Sequence, residues 1–90
     1  NMEYIYVASE DIHGDLCYSR TLSGIYAYLI KAKWITKDTE IYSHDIASAC
    51  TLEERFGKSK WIEAVEKMDF YTFNTLFDPY FQIRSEQLIG

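Results

Sequence analysis

The beginning of the chain predicts two strands joined by a turn. Residues Glu3–Ser9 (EYIYVAS) alternate and are β-branched or aromatic almost throughout, which is the period-two pattern of a strand. The polar stretch Glu10–Asp15 then breaks the pattern, and Gly14 within it favours a turn because glycine adopts positive φ without steric cost. Leu16–Ser19 is predicted to return antiparallel to the first strand, so that the two strands form a hairpin.

The clearest amphipathic pattern follows the hairpin and predicts a helix over Thr21–Lys33. Ser19 or Thr21 supplies the N-cap hydroxyl. Gly24 lies inside this helix although glycine costs about 1 kcal/mol there relative to alanine, which indicates a close approach to the sheet. The apolar positions recur at helical spacing and form one stripe: Leu22, Ile25, Tyr26, Leu29, Ile30 and Ala32.

The pattern is weakest in the middle of the chain. Trp34 and Ile35 are predicted to fold back as an anchor before a polar break at residues 36–39. Glu40–Tyr42 fits a short strand and fits an extended loop equally well. The stretch Ser43–Asp45 has the composition of a cap and predicts a helical turn.

Two short helices are predicted next. The segment TLEE at 51–54 is a capping box, in which the Thr hydroxyl and the second Glu satisfy each other's free amides. It opens a helix over Thr51–Phe56 that ends at Gly57. Ser59 is expected to cap a second helix over Lys60–Met68, whose apolar residues fall on one face: Trp61, Ile62, Val65 and Met68.

The last part of the chain predicts a helix followed by a strand. Phenylalanines at i, i+3 and i+7 favour a helix over Phe70–Phe77, capped by Asp69, whereas the competing strand interpretation has poorer alternation. Asp78–Pro79 stops the helix. Tyr80–Arg84 alternates as a final strand that can join the hairpin.

These elements predict one α+β domain over residues 1–90, with a small antiparallel sheet of about three strands and helices packed on one face. The composition agrees, because 48% of the residues are hydrophobic and 17% are aromatic, unlike a disordered chain. The aromatic residues exceed what the core needs for volume. Some of them are therefore expected to form a contact surface.

The net charge of −5 is concentrated at the two ends of the sequence. Residues 1–20 contain four acids and one base, and residues 69–90 contain three acids and one base. The chain has no basic stripe of the kind that neutralises phosphates. Direct binding to nucleic acid is therefore not expected.

Cysteine usage and hydropathy predict a cytoplasmic protein. Cys17 and Cys50 are too few for a disulfide framework and show no metal-binding spacing, so reduced thiols are expected. No apolar run approaches the ~20 residues of a membrane span, and no leader pattern precedes the first strand. We expect no membrane contact.

The sequence gives little support for catalysis or for a cofactor. Asp11, His13 and Asp15 have the side chains of a divalent-ion site, but a flexible turn offers no rigid scaffold, and capping explains His44 and the aspartate after it. Cys17 is predicted to be a core thiol rather than a nucleophile. The chain lacks the usual hydrolase, metalloprotease and phosphate-loop motifs. We therefore expect no metal, no cofactor and no enzyme activity.

Acidic and tyrosine residues are the candidate binding residues. The acidic hairpin turn contributes one group, and tyrosines on the predicted strands contribute another. Tyr4, Tyr6, Tyr18 and Tyr80 are able to form a row across one sheet face, either as an interface or as cover for the helices. The resulting candidates for a binding surface are Asp11, His13, Asp15, Tyr18 and Tyr80.

Four stretches of the chain carry a resemblance to known proteins. They are YVASEDIHG, YLIKAKWI, LEERFG and MDFYTFNTLFDPYFQIRSEQL. Together they resemble small uncharacterised proteins carried by phages and integrative elements of Gram-positive bacteria. The resemblance covers nearly the whole chain and implies a mobile-element origin and a cytoplasmic location. It implies no activity and no functional residues.

The expected function is a non-catalytic protein-interaction module that binds a host or element protein. An inhibitor of a host defence nuclease is one concrete version, in which clustered carboxylates compete for a basic groove. One alternative is a homo-oligomeric structural protein that associates through an edge strand or an aromatic face. The other is a small metal-dependent enzyme or sensor, which requires His13 and His44 to converge.

Overall fold

Two sheets and four helices make up the part of the chain described by the computed structural model, residues 3–43 and 46–89. The elements are β1 (Glu3–Glu10), β2 (Gly14–Ser19), α1 (Leu22–Lys31), β3 (Glu40–Ser43), β4 (Ile46–Thr51), α2 (Leu52–Phe56), α3 (Trp61–Glu66), α4 (Phe70–Phe77) and β5 (Phe81–Leu88). A three-stranded antiparallel sheet has the order β2-β1-β5, and β3 pairs with β4 in a second antiparallel sheet. The predicted α+β class is confirmed.

The central strand β1 presents one face to the helices. Ala8 is fully buried there, between Cys17 of β2 and Ile83 of β5 in the sheet register. Because side chains alternate along a strand, Tyr6 lies on the same face, where its ring contacts Phe70 of α4 at 6.3 Å between centroids. The odd-numbered residues of β1 form the opposite face, here named the open face.

A β-bulge in β2 changes which face its first residues occupy. Ala8 is opposite Cys17, but Ser9 is opposite Asp15, so Leu16 is an extra residue in the ladder. Leu16 and Cys17 both pack partly against the core. Asp15 consequently lies on the open face, the same face as Ser9.

Helix α1 begins as the sequence predicts. The Thr21 hydroxyl accepts a hydrogen bond from the Gly24 amide at 3.1 Å, which makes Thr21 the N-cap. The close approach predicted at Gly24 is also present, because a Cβ at this position would overlap the hydroxyl of Ser19 on β2. A larger residue here would require the Ser19 side chain to move, so glycine favours the close approach of the helix to the sheet.

Helix α1 ends two residues before the predicted Lys33. The amide of Trp34 donates to the Leu29 carbonyl at 2.9 Å, and the amide of Lys33 donates to the Ile30 carbonyl at 3.2 Å. This pair of bonds is a Schellman motif, in which the residue after the cap turns into the left-handed region. Lys33 occupies that position with φ of 67°.

The β3–β4 hairpin is the largest departure from the predicted elements. Glu40–Ser43 is a strand, which resolves the strand-or-loop ambiguity, but the partner strand Ile46–Thr51 was not predicted. Its sequence IASACT contains small residues with little strand preference, so pairing with β3 determines its conformation. The predicted helical turn began at Ser43–Asp45, and its residues 44 and 45 lie outside the described part. A strand follows them where a helical turn was expected.

The three later helices are present as predicted, and the main differences are in the length and the cap of α3. α2 has both halves of the capping box between Thr51 and Glu54, and Gly57 follows it with φ of 103°. α4 has the predicted bounds and the Asp69 cap, whose carboxylate accepts from the Thr72 amide at 2.7 Å. α3 is shorter than predicted, and its N-cap is Lys60 rather than Ser59, without a side-chain capping bond.

Strand β5 begins one residue later and ends four residues later than the predicted Tyr80–Arg84. Tyr80 belongs to the turn before the strand, where its amide donates to the Phe77 carbonyl. The polar continuation of β5 is extended because it pairs with the first half of β1, from Tyr6 opposite Ser85 to Glu3 opposite Leu88. Pairing across the sheet thus overrides a weak local strand preference.

The core joins both sheets through α4. Helix α4 contacts β5 on one side and β3 on the other. Its rings form a stack that reaches α1, with 5.4 Å between the centroids of Tyr26 and Phe73 and 4.3 Å between those of Phe73 and Phe77. The fully buried large side chains are Tyr26, Phe73, Phe77, Ile25, Leu29, Ile35, Ile41, Leu52 and Val65.

Candidate functional site

Three connections of the chain meet at a cavity of about 360 Å³. They are the β1–β2 turn, the connection from α1 to β3, and the turn from α4 to β5. Both carboxylates and aromatic rings line the cavity, which is here named the acidic aromatic pocket. Its lining residues are Glu10, Asp11, Trp34, Asp38, Thr39, Glu40, Tyr80 and Phe81.

Glu10 shapes the turn that forms one wall of the pocket. Only 8% of this residue is exposed, and its carboxylate accepts from the amides of Ile12 and His13 at 3.1 and 3.2 Å. The imidazole Nδ1 of His13 lies 2.8 Å from the same carboxylate. The hydrogen bond with His13 is the main reason that the pKa of Glu10 is lowered, and the two amides add to it. Glu10 is therefore an ionised structural anchor of the turn.

Two further contacts attach this turn to the other walls. The Asp11 amide donates to the Tyr80 carbonyl at 3.1 Å, which joins the β1–β2 turn to the α4–β5 turn. The His13 ring meets the Trp34 ring edge-on, with 5.2 Å between centroids. Residues far apart in sequence are thus held around one cavity by the turn of the hairpin.

Tyr80 lies near two carboxylates of the pocket, those of Asp11 and Glu40. Its hydroxyl hydrogen-bonds with Tyr42, and this bond is the largest cause of a raised pKa of Tyr80. Burial raises it as well, and the charges of Glu40 and Asp11 further disfavour the phenolate. The Tyr80 hydroxyl therefore stays protonated and can donate a hydrogen bond.

The carboxylates of the pocket have few positively charged partners among the described residues. In the described part of the chain, neither Asp11 nor Glu40 has an ion-pair partner. Asp38 has only Lys37, at 3.4 Å between two exposed side chains, which is a weak surface pair. Unneutralised carboxylates beside aromatic rings favour a cationic ligand, since both groups attract positive charge.

The structure divides the five predicted binding residues between two places. Asp11 and Tyr80 line the acidic aromatic pocket, and His13 supports it through Glu10. Asp15 and Tyr18 lie on the open face of the sheet, opposite Ser9 and Val7 respectively. The proposed row of tyrosines is not formed, because Tyr6 faces the helices whereas Tyr18 does not.

The open face carries its own network of charges. Arg84 donates two hydrogen bonds to the Asp15 carboxylate, both at 2.9 Å, and one to Glu86 at 2.7 Å. Arg84 lowers the pKa of Asp15 through these bonds. Val7 lies between Arg84 and Tyr18 in the register and is only 5% exposed. This face is therefore partly covered by its own side chains, although Tyr18 is 77% exposed.

The sequence did not identify several residues of the pocket. Glu10, Trp34, Asp38 and Glu40 were assigned to a turn, an anchor, a polar break and an ambiguous strand. Their common sequence signal is an acid or an aromatic ring at the boundary of an element. That signal does not reveal which boundaries meet, because the meeting points depend on sheet pairing.

Neither metal nor thiol chemistry gains support from the described residues. Within residues 3–43 and 46–89, no group of three or more His, Cys, Asp and Glu is arranged to hold a metal ion. The alternative that joins His13 to His44 involves a residue outside the described part. Burial raises the pKa of the Cys17 thiol, which disfavours the nucleophilic thiolate.

Comparison with known proteins does not assign the chain to a family. Nothing matches the chain among protein-family models, curated proteins or solved structures. The resemblance to phage and mobile-element proteins therefore stays a prediction from the sequence. No helix in the described part of the chain has the length and apolar character needed to cross a membrane.

Proposed function

We propose that the chain is a non-catalytic protein-interaction module that binds a cationic side chain of a partner protein in the acidic aromatic pocket. One observation carries the proposal. Asp11 and Glu40 line the same cavity as the rings of Trp34 and Tyr80, and neither carboxylate has an ion-pair partner in the described residues.

The size and chemistry of the pocket suit one side chain. Its volume of about 360 Å³ is near the lower end of small-molecule sites, which run from about 300 to 1,000 Å³. An arginine or lysine would gain charge-assisted hydrogen bonds from the carboxylates. The rings of Trp34 and Tyr80 would add a cation–π contribution of about 0.5–2 kcal/mol.

The biological setting that we propose comes from the sequence. The resemblance favours a phage or mobile-element protein acting in the cytoplasm on a host or element protein. Inhibition of a host defence nuclease fits this pocket, because basic side chains line the grooves in which nucleases hold nucleic acid. The inhibitory carboxylates would then be Asp11, Asp38 and Glu40, since Asp15 and Glu86 already pair with Arg84.

A peptide titration tests the pocket directly. The indole N–H signal of Trp34 is followed by NMR while N-acetyl-Gly-Arg-Gly-amide is added, and the Lys and citrulline versions serve as comparisons. We expect saturable shifts with Arg or Lys and none with citrulline, which has nearly the same shape but no charge. Glu40→Gln should weaken binding about tenfold through loss of a charged hydrogen-bond acceptor.

A matched control is available in Glu66→Gln, which neutralises an exposed carboxylate outside the pocket. This variant should bind like the unchanged chain. The same pair of variants extends the test to full-length partners captured from host lysate, where Glu66→Gln should leave the captured amount unchanged and Glu40→Gln should reduce it. Equal binding of the citrulline peptide, or equal loss in both variants, would rule the proposal out.

A further inference from the structure

Lys33 occupies a backbone position that normally belongs to glycine. It is the left-handed residue of the Schellman motif that ends α1, with φ of 67°. Residues other than glycine are strained there because their Cβ approaches the following carbonyl oxygen. The fold would therefore be more stable with glycine at this position. The reason for a lysine here must lie in what its side chain can bind.

An apolar groove of about 370 Å³ lies beside Lys33, between the end of α1 and the start of α3. Ile35 is fully buried at its base, Trp61 is half-buried, and Ile62 is 42% exposed. Lys33 and Lys37 add positive charge to this apolar surface. Ile30 adds a further apolar side chain to the lining, and Asp38 adds one carboxylate.

The charge of the groove contrasts with that of the chain. The protein has a net charge of −5, yet this groove has two lysines against one carboxylate, and in the described residues Lys33 has no ion-pair partner. Lys37 has only the exposed contact with Asp38 at 3.4 Å. The unpaired ammonium of Lys33 and the weakly paired one of Lys37 lie beside apolar walls. They complement a ligand that combines carboxylates with an aliphatic or aromatic anchor.

We infer that this groove is a second binding surface, which takes an acidic segment of a partner protein with an apolar anchor between its carboxylates. The anchor lies against Trp61 and Ile62, and Lys33 and Lys37 pair with the flanking carboxylates. The strained backbone at Lys33 is kept because glycine would remove one of these charges. This surface adjoins the acidic aromatic pocket at Asp38, which lines both, and it requires the opposite charge in its ligand.

The test uses the acetylated peptide EELFEE and the indole N–H signal of Trp61. The chain has two tryptophans, so the Trp34 signal reports on the pocket in the same spectrum. We expect EELFEE to shift the Trp61 signal saturably, whereas KKLFKK and EESSEE leave it unchanged. Lys33→Gln and Lys37→Gln should each weaken binding about threefold, and Lys58→Gln, an exposed lysine outside the groove, should not.

Lys33→Gly separates binding from folding because the two effects have opposite signs. It should raise the Tm by about 4 °C through relief of strain, while weakening EELFEE binding like Lys33→Gln. Several results would overturn the inference: an unmoved Trp61 signal, equal binding of KKLFKK, or undiminished binding by Lys33→Gly. A Trp61 shift on concentrating the protein alone, with dimers in sedimentation, would also overturn it by showing that a second copy fills the groove.

Discussion

At the scale of single residues, Tyr26 combines a buried ring with a satisfied hydroxyl. The side chain is fully buried, and its hydroxyl donates to the Met68 carbonyl at 2.7 Å. Burial raises the pKa of Tyr26 to about 12, and the nearby charge of Asp69 contributes. The hydroxyl thus ties α1 to the segment between α3 and α4 only while it is protonated.

Replacing Tyr26 with phenylalanine should therefore leave a buried carbonyl without its donor. We expect Tyr26→Phe to lower the free energy of unfolding at pH 7 by about 1–3 kcal/mol, measured by urea denaturation. Tyr71→Phe is the matched control, because Tyr71 is exposed, and it should change stability by less than about 0.5 kcal/mol. Equal stability of the two variants would contradict a structural role for the Tyr26 hydroxyl.

The same residue gives a dependence on pH with a defined sign. The folded pKa of about 12 exceeds the unfolded value of about 10. The folded state thus favours the protonated phenol, and this stabilisation is complete below pH 10 and lost as pH rises through 12. In urea titrations over that window, stability should fall less steeply for Tyr26→Phe than for Tyr71→Phe.

At the scale of elements, Asn74 of α4 protects the edge of β5. Its amide nitrogen donates to the Ile83 carbonyl at 2.7 Å, and its amide oxygen accepts from the Ile83 amide at 2.6 Å. These are the two backbone groups through which another strand would pair at that point. The Asn74 side chain thus imitates a neighbouring strand at Ile83.

Removing this side chain should affect both stability and association. We expect Asn74→Ala to cost about 1–3 kcal/mol in urea unfolding and to promote self-association seen by analytical ultracentrifugation, because a strand edge becomes available. Thr75→Ala on the same helix is the control, since the Thr75 hydroxyl donates to the Tyr71 carbonyl of its own helix. A monomeric Asn74→Ala variant at high concentration would show that Asn74 does not guard the edge.

An element could be predicted from the sequence when the interactions that form it join residues close together in the chain. The capping box at Thr51 and the Asp69 cap were predicted, because they depend on side chains within a few residues of each other. The strand Ile46–Thr51 was missed because small residues extend there only through pairing with β3. For the same reason Ser85–Leu88 was missed, since its extended conformation follows from β1.

The candidate site shows the same difference between what depends on local sequence and what depends on distant contacts. Asp11 and Tyr80 were chosen from the sequence as an acidic turn residue and an interface aromatic, and both line the pocket. Their companions Trp34 and Glu40 come from another connection of the chain. Composition predicts the residue types of such a site, but which types meet depends on contacts between distant segments.

At the scale of the whole molecule, α4 makes one folding unit of the two sheets. It contacts both β3 and β5, and Phe73 stacks against both Tyr26 and Phe77. Because the same buried rings serve both sheets, the hairpin β3–β4 has no separate core among the described residues. We therefore expect the chain to unfold as a single cooperative unit.

Shortening Phe73 should weaken both sheets together. Phe73→Leu leaves a cavity in the ring stack and should cost about 1–3 kcal/mol, with coincident transitions by far-ultraviolet circular dichroism and tryptophan fluorescence. Tyr71→Leu, at an exposed position on the same helix, should change stability by less than about 0.5 kcal/mol. Separate transitions for the two probes would show that the sheets fold independently.

The bulge at Leu16 decides which face of the hairpin carries Asp15. It shifts the alternation of β2 by one position, which is why Asp15 can reach Arg84 across β1. A regular ladder of the same residues would pair Leu16 with Ser9 and turn Asp15 toward the buried face. Deleting Leu16 would instead leave Asp15 opposite Ser9, with Arg84 still within reach. This hairpin can therefore become one residue shorter at the bulge and keep the side chains of both faces where they are.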